Sequence, residues 1–133
     1  MPEIIVLDTH IWFWMMTQEL ERFPSHWQDE IDTASRVGVS SVSCYEIALA
    51  NSKGRLELPC AIDEWFEAAL EPADIELLPL TADIAYRAVS LSPIHKDPIG
   101  RIIIATALSY DGRLASVEGL FSQYSELKNC LMK

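Results

Sequence analysis

Hydrophobic and polar positions alternate along this chain in blocks, and each block has a readable period. Ile4-Ile5-Val6-Leu7 is a continuous apolar run rich in β-branched residues, which predicts a strand buried on both faces. It stops at Asp8-Thr9-His10, and Ile11 to Met16 is then apolar all round, predicting a buried helix. Ser25 is placed to cap a helix reaching about Ser35, and Val37 to Ser40 predicts a second strand. Ser43 with Glu46 three residues on has the spacing of a capping box, so a helix is expected through about Lys53 and ended by Gly54. In the stretch Ala61 to Leu70, Trp65, Ala68 and Ala69 are expected to face inward, while Asp63, Glu64 and Glu67 stay in water.

The second half repeats the alternation. Ile75 to Leu78 predicts a third strand, and Thr81 caps a helix to about Ser90. Asp97-Pro98 opens another helix, with Asp as the cap and Pro at the first helical position, buried through Ile102, Ile103, Ala105, Thr106 and Leu108. Asp111-Gly112 is a turn, Arg113 to Ser116 a fourth strand, and Asn129 to Met132 a short edge strand. Strands alternating with helices imply an α/β fold: a three-layer α/β/α sandwich on a mostly parallel sheet of four to five strands. No linker, repeat or low-complexity segment divides the chain, so residues 1–133 are expected to form a single domain.

Charge narrows the chemistry. Twenty acids against ten bases give a formal charge of −10, which repels phosphate backbones at long range. Any work on nucleic acid must then rely on bound cations, a local basic patch or a partner, and a basic partner segment would suit the surface. The cysteines Cys44, Cys60 and Cys130 are odd in number and lack CxxC spacing, which argues against a disulfide framework or zinc cluster and for a reducing cytoplasm. The N-terminal stretch has no basic region before its apolar run, so it is a poor signal peptide. No apolar run approaches the roughly 20 residues needed to span a bilayer.

Active sites of open α/β sheets gather at the carboxyl ends of the strands. Asp8 follows the first strand, Glu118 follows the fourth, Glu46 lies early in the helix after the second, and Asp97 starts the helix leading to the fourth. Carboxylates converging there repel one another unless a hard divalent ion neutralises them. Such an ion activates water and offsets charge at phosphorus, so metal-assisted phosphodiester hydrolysis is the indicated reaction class. Spacing alone also allows plain structural roles: helix caps for Asp8, Glu46 and Asp97, and a turn for Glu118. His10, beside Trp12, reads as a satisfied, partly buried histidine, and His95 as a loop residue that contacts phosphate or nothing. A phosphatase or receiver-like domain using Asp8 lacks the paired D-x-D and a well-placed lysine.

Taken in order, several segments carry a further signal: Leu7-Asp8-Thr9-His10-Ile11-Trp12, Ser40 to Ala48, Gly54 to Pro59, Leu78 to Thr81, His95 to Ala107, and Ser116-Val117-Glu118 with Phe121 and Tyr124. The ordered set resembles the PIN-domain family, in particular its VapC-like toxin branch. The resemblance implies Mg²⁺- or Mn²⁺-dependent ribonuclease activity on RNA, a small antitoxin partner and a homodimer. Asp8 and Glu46 match the family's first two acids. The D-P-x-D-R motif stands here as Asp97-Pro98-Ile99-Gly100-Arg101, with Gly100 in place of the usual metal-site acid. The T-x-D motif stands as Ser116-Val117-Glu118, and the extra methylene of Glu shifts its carboxylate by roughly 1–1.5 Å, about one C–C bond. The expected metal ligands are therefore Asp8, Glu46 and Glu118, assisted by Asp97, with Ser116 orienting the attacking water. The departures keep open a second class of function: a PIN-like binding protein with weak or lost catalysis, acting through dimerisation or antitoxin binding.

Overall fold

The computed structural model describes residues 3–133; Met1 and Pro2, part of the poor leader considered above, lie outside them. Four strands, β1 (Ile4–Leu7), β2 (Arg36–Ser40), β3 (Glu76–Leu78) and β4 (Arg113–Ala115), form one sheet in the order β3-β2-β1-β4. All three pairings are parallel, with Ile5 opposite Val37 and Val6 opposite Leu114. The helices are α1 (Thr9–Met16), α2 (Ser25–Thr33), α3 (Ser41–Ser52), α4 (Ile62–Ala69), α5 (Ala82–Ser90) and α6 (Pro98–Ser109).

β1 shows why the sheet is sandwiched. Successive side chains of a strand point to opposite faces, and all four of its residues are buried. Ile5 and Leu7 pack with Trp12 of α1, Trp27 of α2, Ile47 of α3 and Trp65 of α4. Ile4 and Val6 pack on the other side with Ile103, Ile104 and Ala107 of α6 and with Phe121 and Tyr124. Each buried Val, Leu, Ile or Phe among them contributes about 1.5–3 kcal/mol by leaving water. The three-layer α/β/α arrangement with a parallel sheet is thus as the alternating pattern implied.

The chain builds outward from β1 to β2 and β3, then returns to the other side of β1 as β4. The order reverses between β1 and β4, and a crevice opens there at the carboxyl ends. Asp8 N–H donates to Ala115 O at 2.9 Å, which carries the ladder one residue past β1 and directs Asp8 toward β4.

Several local expectations change. The first helix begins at Thr9, two residues early, because Asp8 caps it. α3 is capped by Ser40, whose hydroxyl accepts from Val42 N–H, so Ser43 and Glu46 form no capping box. Ser43 is buried instead and accepts from Thr9 Oγ at 2.8 Å. Ser25 makes no side-chain cap, and its helix ends at Thr33. Ala68 is exposed, because Trp65 and Ala69 fill the inner stripe of α4. The expected strand near Asn129 to Met132 shrinks to a single bridge between Leu131 and Leu114. By contrast, Thr81, Asp97-Pro98 and the left-handed Gly54 (φ 71°) act as their residue types indicate.

The turn into β4 is held by lack of space. A Cβ on Gly112 would stand 2.7 Å from Ile4 Cγ2 and 2.8 Å from Ile4 O, whereas one on Gly119 would meet nothing within 4 Å. Gly112→Ala should cost about 1–3 kcal/mol in urea unfolding, and Gly119→Ala should change stability by no more than about 0.5 kcal/mol. Equal effects would contradict this packing.

Candidate metal centre

Asp8 leaves β1 with both carboxylate oxygens committed. Oδ1 accepts from Thr9 N–H at 2.8 Å and Oδ2 accepts from Ser116 Oγ at 2.6 Å. The Ser116 oxygen in turn accepts the Glu118 N–H at 3.1 Å, so one hydroxyl ties the end of β4 to the end of β1. Thr9 binds Ser43 across the crevice and thereby docks α1 on α3. With Ser43 turned inward, Glu46 one turn later stands free of any capping duty.

Four carboxylates face one small cavity of about 80 Å³, lined by Asp8, Glu46, Asp97, Glu118, His10 and His95 among others. A single water needs about 10–15 Å³ of such space, so an ion with part of its water shell fits. Asp8 and Glu46 are the recessed pair, and burial raises the pKa of both above the ordinary carboxylate value. For Asp8 the Ser116 and Thr9 hydrogen bonds oppose that rise, and the charge of Glu118 adds to it. For Glu46 the Thr9 hydroxyl opposes it, and the charges of Asp8 and Asp97 add to it. That relief is partial, because the one hydroxyl proton of Thr9 goes to Ser43.

The outer pair is exposed and busy with local structure. Asp97 Oδ1 caps α6 through Ile99 N–H at 3.1 Å. Glu118 Oε1 caps the turn Gly119–Gln123 through Leu120 N–H at 3.3 Å. Its other oxygen lies 3.8 Å from His95 Nε2, too far for a hydrogen bond. His95 Nδ1 accepts the Asp97 N–H at 3.0 Å, which leaves Nε2 to carry the proton of the neutral ring. Its ring meets Phe121 edge-on with centroids 6.0 Å apart.

His10 is not partly buried, as its apolar neighbours suggest. It is exposed at the cavity and rests beside Trp14, because the earlier start of α1 turns it outward while Thr9 and Ile11 go in. Gly100 is buried in the first turn of α6; a Cβ there would stand 3.4 Å from the Phe121 ring and 3.9 Å from Asp97 Oδ2. Spacing did not reveal the Thr9–Ser43 contact or the place of Phe121, since both join segments far apart in sequence.

All the anionic donors are oxygens, which suits Mg²⁺ or Mn²⁺. Among the described residues, no three His, Cys, Asp or Glu side chains stand close enough to form a ready-made cage. Mg²⁺ does not require one, since it uses one or two carboxylates and completes its shell with water and phosphate. The donor set therefore fits such an ion, with Asp8 and Glu46 nearest and Asp97 and Glu118 at the rim. A larger hollow of about 880 Å³ lies by the amino ends of β2 and β3. Its acids, Asp32, Glu71, Asp74 and Glu76, are exposed, and Glu76 is paired with Arg36 at 2.8 Å, so it lacks a recessed ionisable group.

Comparison with known proteins agrees with the fold. The PIN domain family matches residues 5–127, and the chain belongs to that family. It is 27% identical over 113 residues to ribonuclease VapC22 of Mycobacterium tuberculosis, covering 84% of this chain and 85% of the relative. The fold is similar to that in VapBC2 from Rickettsia felis bound to a promoter DNA fragment, with a TM-score of 0.69, 15% identity and 97% of each chain covered. It is also similar to that in a toxin-antitoxin complex from Klebsiella pneumoniae, with a TM-score of 0.62, 16% identity, and 97% and 96% of the two chains covered. No helix among the described residues is long and apolar enough to cross a membrane.

The charges in the cavity bear on stability. Because its pKa is raised by folding, Glu46 holds a proton in the native state at pH values where the unfolded chain has released it. Stability therefore falls as pH rises through the ordinary carboxylate pKa toward the folded one, and stays lowered above it. In metal-free buffer, Glu46→Gln should raise Tm at neutral pH, and the gain should fade as pH drops below the ordinary carboxylate range. Thermal unfolding across pH measures this; a lower Tm for the variant at neutral pH would contradict the account.

Proposed function

We propose that this protein is a Mg²⁺- or Mn²⁺-dependent ribonuclease of the VapC toxin type, a single-domain enzyme that hydrolyses RNA phosphodiesters. The observation that carries the reading is the recessed pair Asp8 and Glu46, raised in pKa, at a cavity rimmed by Asp97 and Glu118. The relative named as a ribonuclease supports the activity. The solved toxin–antitoxin complex with a similar chain supports a small antitoxin partner. A homodimer working in the cytoplasm completes the reading.

A divalent ion bound here would neutralise the clustered charge and lower the pKa of a water near the scissile phosphate. The protein's part is placement. Ser116 and Thr9 hold the Asp8 carboxylate in one orientation, so the principal ligand needs little reordering. Ser116 gives its proton to Asp8 and takes the Glu118 N–H, and so fixes both acids; orienting the attacking water would require that hydroxyl to turn. Glu46 enters from α3 and supplies the second carboxylate. Lys96, exposed between His95 and Asp97 in the sequence, is a nearby cation on the rim loop of a chain whose charge of −10 otherwise repels phosphate.

One observation favours a second reading, a binding protein with weak or lost catalysis that acts through dimerisation or antitoxin binding. Gly100 removes an acid from the first turn of α6, and the nearest groups to that position are the Phe121 ring and Asp97. A Cβ can be added there, because its nearest neighbour is the Phe121 ring at 3.4 Å and no backbone atom is among its contacts.

An RNA cleavage assay in millimolar Mg²⁺ or Mn²⁺ separates the readings. The nuclease reading expects cleavage by the natural chain, lost by about 10²-fold or more in Asp8→Asn. Cleavage that emerges only in Gly100→Asp supports the second reading. If neither protein cleaves RNA with either metal, the nuclease reading is wrong.

A further inference from the structure

Arg101 follows Gly100 in the motif around the cavity, and in an acidic chain such a cation would be expected to meet RNA phosphate. Its hydrogen bonds point elsewhere. Nε donates to Ala88 O at 3.1 Å. Nη1 donates to Ser92 O at 3.0 Å and His95 O at 3.2 Å. Nη2 donates to Leu91 O at 2.9 Å and Val89 O at 3.4 Å. A guanidinium has five N–H groups, and here each has a main-chain carbonyl. No carboxylate is among its partners.

Those carbonyls belong to the end of α5 and to the loop joining it to α6. The last carbonyls of a helix lack partners within it, and a cation at that end is favourable. Arg101 sits in the early part of α6, where a cation opposes that helix's own dipole, so its charge serves α5 rather than α6. The same loop is tied by Tyr124, whose Oη also lies 3.5 Å from Arg101 Nη1, and by Glu126. Tyr124 Oη accepts the His95 N–H at 2.8 Å, and the Glu126 carboxylate accepts from Ser92 N–H at 2.8 Å and Ser92 Oγ at 2.9 Å. The loop delivers His95 and Asp97 to the cavity, with Asp97 N–H held by His95 Nδ1.

We propose that Arg101 is a positioning residue: its five-carbonyl grip, with Tyr124 beside it on the His95 amide, sets His95 and Asp97 at the cavity rim, and it does not contact RNA. The link to catalysis rests on the nuclease reading above; the grip itself does not. Lysine cannot replace it, since one ammonium presents three donors from a single point and cannot span five carbonyls.

Amide exchange by NMR on the full chain tests the grip without any activity. In Arg101→Lys, the His95 and Asp97 amides should exchange roughly tenfold or more faster while those of β1 and β2 stay protected, as expected for a local opening. Tyr124→Phe, which removes one hydroxyl, should do the same at His95. Unchanged exchange at both amides in Arg101→Lys would overturn the proposal. For RNA cleavage, kcat of Arg101→Lys and Tyr124→Phe should fall by about tenfold, through misplacement, with KM unchanged. In Arg101→Gln, the salt dependence of KM should also hold. A raised KM with kcat unchanged and a salt slope lower by about one would identify a phosphate contact and refute the proposal. If the natural chain cleaves no RNA, the nuclease reading falls, and the exchange result alone decides on the grip.

Discussion

A carboxylate recessed at the end of a buried strand is the constraint around which this molecule is arranged. Asp8 cannot withdraw to solvent, because β1 behind it is buried on both faces and Ala115 O holds its backbone. Its charge is costly there, and the fold offsets only part of that cost through Thr9 N–H and the Ser116 hydroxyl. Glu46 stands opposite with the same difficulty. A fold optimised only for stability would place apolar or neutral residues at these positions. Keeping two acids in a small cavity makes sense where a cation is to be held, and it is the physical reason to regard this crevice, rather than the larger hollow at the other end of the sheet, as the working site.

The rim shows a different compromise. Asp97 and Glu118 each cap a local element, so their positions are fixed at the expense of freedom to turn inward. Gly100 leaves the first turn of α6 without its usual acid, and Phe121 lies against the vacated side. The recessed charge at the cavity is thus concentrated in Asp8 and Glu46, with the rim acids exposed.

Much of the architecture was legible because its signals are local. β1 announced itself by four consecutive apolar residues, and the caps at Thr81 and Asp97 by residue type followed by a helix former or proline. Errors arose where a local rule competed with a distant contact. Ser43 and Glu46 have capping-box spacing, yet Ser43 is drawn inward by Thr9 and the helix starts three residues earlier on Ser40. His10 reads as partly buried from the company it keeps in sequence, yet the earlier start of α1 rotates it to the surface. The four acids could be nominated from strand ends and from family likeness. Their division into a recessed pair and an exposed, capping pair could not, because it depends on how α3 and α6 approach the sheet. Arg101 was equally opaque: sequence assigns it no role, and only the carbonyls around it reveal one.

We propose that Asp8, Glu46, Asp97 and Glu118, from separate stretches of chain, face one divalent cation. Paramagnetic Mn²⁺ titrated into isotope-labelled protein tests it most directly, because broadening reports distance from the bound ion whether or not RNA is cut. The account predicts that, at low Mn²⁺, backbone signals of Asp8, Glu46, Gly100 and Glu118 broaden together and ahead of the exposed acids of α2 and α4. Broadening spread evenly over those surface acids, or centred at the far end of the sheet, would contradict it.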